Sequence, residues 1–108
     1  MITTAPKNQL FVGGDDTFAN MTCVSNATDE IAWTYDGTTV INAPCTSVAA
    51  FTDVFVADRI SENECAIGAS RDRAMSTATM SISGVYGCID QSNFGVTETA
   101  MVIVVGQL

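Results

Sequence analysis

Four cysteines constrain this chain more than any other feature: Cys23, Cys45, Cys65 and Cys88, with Trp33 ten residues after the first and Tyr86-Gly87 directly before the last. Gaps of 22, 20 and 23 residues separate them, and the chain has no histidine. Zinc sites are built from closely spaced pairs such as C-x-x-C, usually with His, so this spacing argues against a metal. Two disulfides are the better use of four cysteines in a small domain, and three pairings are open. Disulfides persist in an oxidising compartment. Two N-x-[ST] sequons, Asn20-Met21-Thr22 and Asn26-Ala27-Thr28, point the same way, because such asparagines are glycosylated on the secretory route.

At 108 residues the chain is expected to form one domain, residues 1–108, with a real core and much to gain from cross-links. An apolar fraction of 47% against 15% charged residues excludes intrinsic disorder. Only 4 basic residues stand against 12 acidic ones, a net charge of −8, so the basic footprint of a nucleic-acid binder is missing and an anionic membrane surface would repel the chain. Met1-Ile2-Thr3-Thr4 lacks the basic and apolar regions of a signal peptide, and the longest apolar run, 100–105, is strand-sized. The chain therefore reads as an excised ectodomain of a larger cell-surface protein, with signal, membrane anchor and further domains outside it.

Short apolar runs cut by Gly, Asp, Asn and Pro read as all-β. Strands are expected at 9–12, 18–25, 31–35, 38–41, 65–69, 75–82, 85–90 and 97–105. Gly13-Gly14-Asp15-Asp16, Ser70-Arg71-Asp72-Arg73 and 91–95 read as turns, and Asp36-Gly37 is a two-residue hairpin signal. The path of residues 42–70 is the least determined, because 48–56 is unusually apolar for an outer segment.

Cys23, Trp33 with the run to Gly37, and Ser83-Gly84-Val85-Tyr86-Gly87-Cys88 together resemble the immunoglobulin superfamily, over roughly residues 9–106. The resemblance implies an immunoglobulin-like Greek-key β-sandwich of variable type (V-set-like), since about forty residues between Trp33 and strand E leave room for strands C′, C″ and D. It also implies a disulfide Cys23–Cys88 between strands B and F, Trp33 packed on it, and Tyr86 as the tyrosine of the E–F corner. The remaining pair, Cys45–Cys65, would staple the C′ to D insertion near its two ends. Two departures stand out. Ile82 occupies the place of the acid that usually pairs with an Arg at the start of strand D, so Arg59, Arg71 and Arg73 are expected to lose that partner. The stretch 80–86 also implies a compressed E–F connection. The sequon-bearing strand B, the short E–F join and the extra cysteine pair are similar to the membrane-distal domains of hydroid (cnidarian) allorecognition receptors, whose outer domains bind like alleles between cells.

Without histidine the usual acid/base group and any Ser-His-Asp arrangement are missing. Asp15-Asp16 and Asp29-Glu30 are neighbours whose side chains diverge on an extended chain, and calcium at Asp15-Asp16 would need more oxygen ligands. Gly13-Gly14 is no phosphate loop. No enzyme, cofactor or small-molecule substrate is expected. The expected function is cell-surface recognition of a protein partner, specifically the same domain on an opposing cell; the alternative is a spacer domain in a multidomain extracellular or matrix chain. Strand parity places Ala32, Thr34, Gly87, Ile89 and Gln91 outward on the sheet of strands C and F. Phe51, Val54 and Phe55 extend the candidate interface, although Phe51 and Phe55 have a competing place in the core of their own sheet.

Overall fold

The short apolar runs become ten strands in the computed structural model, which describes residues 1–12, 21–52, 54–69, 83–92 and 97–105. They are β1 (Ile2–Thr4), β2 (Gln9–Val12), β3 (Met21–Ser25), β4 (Ile31–Tyr35), β5 (Thr38–Asn42), β6 (Thr46–Ser47), β7 (Phe55–Ser61), β8 (Glu64–Ala69), β9 (Gly84–Asp90) and β10 (Thr97–Val105). One sheet has the order β1-β3-β8-β7 and the other β2-β10-β9-β4-β5-β6. Every described pairing is antiparallel except β2 with β10.

The first two strands belong to different sheets. Buried Pro6 lies between them, and a residue with no backbone N–H cannot continue a ladder. At Asp36-Gly37 both residues take positive φ, 48° and 87°, as the hairpin signal predicts for a turn whose twist matches its strands.

Period-two alternation builds the core. Met21, Cys23 and Ser25 of β3 are buried while Thr22 and Val24 are half-buried. Ala100 and Val102 of β10 are buried, and Met101 and Ile103 are exposed. Trp33 and Cys88 are register partners across β4 and β9, and Cys23 and Cys65 are register partners across β3 and β8. The Cys23–Cys88 disulfide joins the two sheets, with the Cα atoms 6.4 Å apart. Cys45–Cys65, with Cα atoms 5.7 Å apart, joins them again from the turn between β5 and β6. It is therefore a second inter-sheet clamp beside the first, rather than a staple across the ends of an insertion. The Trp33 indole N–H donates to the Cys65 carbonyl at 3.3 Å, so one buried ring ties β4 to the strand that carries the second bridge.

The fold corrects the expected placing of strands D and E. The strand beside β3, the place of strand E, is β8, so Cys65 lies on E and β7 is D. Glu62-Asn63 is the turn of a β7–β8 hairpin, and Glu64 points outward to accept a hydrogen bond from Thr22 Oγ1. Its polar flank made Cys65 read as the start of a separate strand after a loop. The strand expected at 75–82 lies outside the described residues, as does most of the E–F connection expected to be compressed. Arg59 instead grips both carboxylate oxygens of a different acid, Asp29, at 2.9 and 3.2 Å, from β7 to the β3–β4 turn where Asp29 takes φ 57°. Arg71, Arg73 and Ile82 lie outside the described residues, as do the turns at 13–16 and 70–73.

Candidate functional site

Two of the residues expected on the interface are buried. Phe55 is 3% exposed: as the first residue of β7 it faces inward, in a cluster with Tyr35 and Tyr86 whose ring centroids lie 5.2 to 5.8 Å apart. Ala32 points outward by parity but is 1% exposed, because its methyl does not reach past the side chains of the neighbouring strands. Phe51 ends a single 3-10 turn, Ala49–Phe51, and both it and Val54 pack half-buried against the core. Phe51, Val54 and Phe55 thus serve the interior, while Val56 is exposed. Thr34 and Ile89 remain half-buried on the outer face, and Gln91 is exposed beyond its end.

Tyr86 is completely buried, as its expected corner role requires, and burial pushes its phenol up. A hydroxyl that reaches backbone at the start of β9 is that of Tyr35, which donates to the Ser83 carbonyl at 2.6 Å. Of the two sequons, Asn20 lies outside the described residues. Asn26 is exposed just after β3, where its backbone N–H donates to the Met1 carbonyl.

Sequence reasoning missed a buried carboxylate at this end of the sandwich. Asp90 has a fully buried side chain that accepts hydrogen bonds from Ser25 Oγ, from the N–H and Oγ of Ser92, and from the Met1 amino group. Burial alone would raise its pKa, but these donors outweigh it and hold the carboxyl well below the usual carboxylate range. A carboxyl with a depressed folded-state pKa contributes stability that is present above its unfolded pKa and lost as pH falls toward the folded one. Asp90→Asn is therefore expected to cost about 1.5–3 kcal/mol at neutral pH. Below about pH 4 the parent should lose stability more steeply than the variant. Urea unfolding across the acid range checks this; parallel losses in the two proteins would show that Asp90 is not the group responsible.

The outer face of the six-stranded sheet has a property that composition does not suggest. Reading outward parity from the register, β2 contributes Leu10, and β10 contributes Thr97, Thr99, Met101 and Ile103. Val85, Gly87 and Ile89 come from β9, Ala32 and Thr34 from β4, and Thr39 from β5. None of these residues is charged, in a chain with a net charge of −8. The outer face of the other sheet carries Asp58 and Glu64. Gly87 keeps the uncharged face flat, since a Cβ there would lie 2.5 Å from Thr34 Oγ1 and 3.1 Å from Thr97 Cγ2. A shallow cleft of about 160 Å³ near Cys45 and Cys65 is lined by Asp29, Glu62 and Glu64, and is below the size of ordinary ligand pockets.

Large apolar side chains emerge from this face at one corner: Leu10, Val85, Met101 and Ile103. The signal that could have found them is the alternation in 97–105. The motif draws attention to the strands holding Trp33 and Cys88, and the strand beside them carries no motif of its own.

No family model matches the chain, and no curated protein matches it in sequence. Solved structures do match. The first Ig domain of mouse SynCAM 2 is 18% identical with a TM-score of 0.63, and the match covers 96% of this chain and 98% of that one. The first Ig domain of the mouse polymeric immunoglobulin receptor is 15% identical with a TM-score of 0.65, covering 97% of this chain and 95% of that one. The titin domains Z1Z2, solved in complex with telethonin, are 16% identical with a TM-score of 0.66, covering 99% of this chain and 48% of theirs. The chain thus spans about half of that titin pair. It has the immunoglobulin-type β-sandwich fold.

Proposed function

We propose that this is an extracellular, cell-surface recognition domain of variable type, which binds a second copy of itself on an opposing cell. The observation that carries the reading is the outer face of the six-stranded sheet, uncharged among the described residues. Two copies of a chain with a net charge of −8 repel one another wherever carboxylates meet, so a copy is best accepted where there are none. A basic partner would instead find its complement on the acidic surfaces. Two inter-sheet disulfides and an exposed sequon at Asn26 support an oxidising, secretory setting. Strands β5 and β6 beyond β4 support the variable-type arrangement. The likeness to domains of an adhesion protein and a receptor, and to a titin pair solved with telethonin, fits a module that binds protein.

The test displays the domain on cells that otherwise do not adhere and mixes them with cells that lack it. Clusters composed only of displaying cells are expected. If displaying cells remain single, or recruit bare cells equally, self-recognition fails, and a spacer domain becomes the better account.

A further inference from the structure

We infer that the contact between copies is centred on the corner formed by Leu10, Val85, Met101 and Ile103, on strands β2, β9 and β10, and not on the β4–β5 half of the same face. The inference rests on the self-recognition reading and specifies its site. These four side chains are 68%, 40%, 47% and 45% exposed. Register makes them one patch: Leu10 is opposite Ile103, Val85 is opposite Met101, and Met101 and Ile103 alternate on one strand.

The backbone beneath the patch is held at both sides. The Met101 N–H donates to Asn8 Oδ1 at 2.8 Å, which continues the β2–β10 ladder past the end of β2. On the other side Asp36 brackets Val85, its carboxylate accepting from the Val85 N–H and its N–H donating to the Val85 carbonyl, both at 2.8 Å. Such a surface needs little ordering on binding.

Three observations commit the patch to a second copy. It sits within the uncharged face, with one carboxylate, that of Asp36, at its edge and accepting from the Val85 N–H, so two acidic chains meet there with little opposed charge. The other exposed apolar pair, Val56 and Ile60 on β7, flanks Asp58, so that face would set carboxylate against carboxylate. The patch is also self-complementary. A two-fold axis lying in the contact plane and crossing β10 between Met101 and Ile103 sets the Met101 of each copy against the Ile103 of the other. The glycan site at Asn26 lies near Asp90, at the opposite end of β9 from Val85, and leaves the corner open.

The exposed apolar area is on the order of 300 Å² per copy, the size of a functional patch on a monomer. That is below the roughly 800 Å² per partner of a stable complex. A lone pair of domains is therefore weakly held, and many displayed copies are needed for firm adhesion.

Sedimentation equilibrium up to about 1 mM, a range suited to weak association, and cell clustering are read side by side for the parent, Met101→Glu, Leu10→Glu and Thr39→Glu. All three positions are exposed, and thermal melting checks that each variant is folded. Association weakened by at least about tenfold in the Met101 and Leu10 variants, and by less than about twofold in Thr39→Glu, is the expected result. Association abolished by Thr39→Glu but kept by Met101→Glu and Leu10→Glu would overturn the corner as the site and leave self-recognition standing. A parent that neither dimerises nor clusters would overturn both.

Discussion

Replacing Trp33 by alanine is expected to cost about 3–5 kcal/mol of folding stability, as a large-to-small change in a closed core. The indole is completely buried, pairs in register with Cys88, and donates its N–H to the Cys65 carbonyl. Its removal opens a cavity between the two sheets and leaves that carbonyl without its indole donor. For a domain of this size each kcal/mol is worth roughly 4–8 °C, so the melting temperature should fall by at least about 12 °C. Urea and thermal unfolding followed by circular dichroism measure it. Trp33→Phe should fall between parent and alanine variant, since it keeps much of the volume but not the donor. A loss below about 1 kcal/mol for Trp33→Ala would contradict the close packing around this ring.

Removing the outer disulfide, as Cys23→Ala with Cys88→Ala, is expected to cost about 4 kcal/mol, and removing Cys45–Cys65 in the same way about 3 kcal/mol, from the entropy of loops closed over 65 and 20 residues. The smaller loop lies within the larger, so each bridge also shortens the loop the other must close. Logarithmic dependence on length keeps that coupling small. Neither loss should abolish the sandwich in the cold, because the surviving bridge still joins the same two sheets. Denaturant titration of the two double variants gives the order: outer bridge first, inner second. An inner-bridge variant as stable as the parent would mean that Cys45–Cys65 closes nothing the sheets do not already hold.

Both predictions concern residues that the sequence motif singled out. Cys23, Trp33, Tyr86 and Cys88 are themselves completely buried, and there local alternation and global fold agree. The Asp36-Gly37 turn was equally legible, because only a few residues tolerate two successive positive φ values. Legibility failed where polar residues belong to hairpins and apolar ones to the far side of the core. Within the undetermined stretch 42–70, Glu62-Asn63 turns β7 into β8, a hairpin the sequence did not reveal. Phe55 read equally as an interface anchor and as core; only the fold shows that it packs against Tyr35 and Tyr86. Arg59 was expected to lose its usual partner, and which acid takes that place was not legible. Asp29, thirty residues away, meets it only once β7 folds beside the β3–β4 turn.

The candidate site divides in the same way. Thr34, Ile89 and Gln91 were found by parity, while Ala32 was placed on the right face but lies too low to be touched. Leu10, Val85, Met101 and Ile103 come from three segments of the chain, and β2 meets β10 in parallel, a pairing that strand patterns do not reveal.

The chain by itself determines its acidity and its alternating apolar pattern, and through the resemblance carried by its cysteines, Trp33 and Tyr86 it implies the sandwich and its two cross-links, since these are local properties of residues and motifs. Which face of that sandwich is free of carboxylates, and where apolar side chains gather on it, depends on register between strands distant in sequence. Only the packed sheets determine that: among the described residues, Asp58 and Glu64 fall on the other sheet and Asp90 is buried, while the strands brought together on this face turn uncharged residues outward.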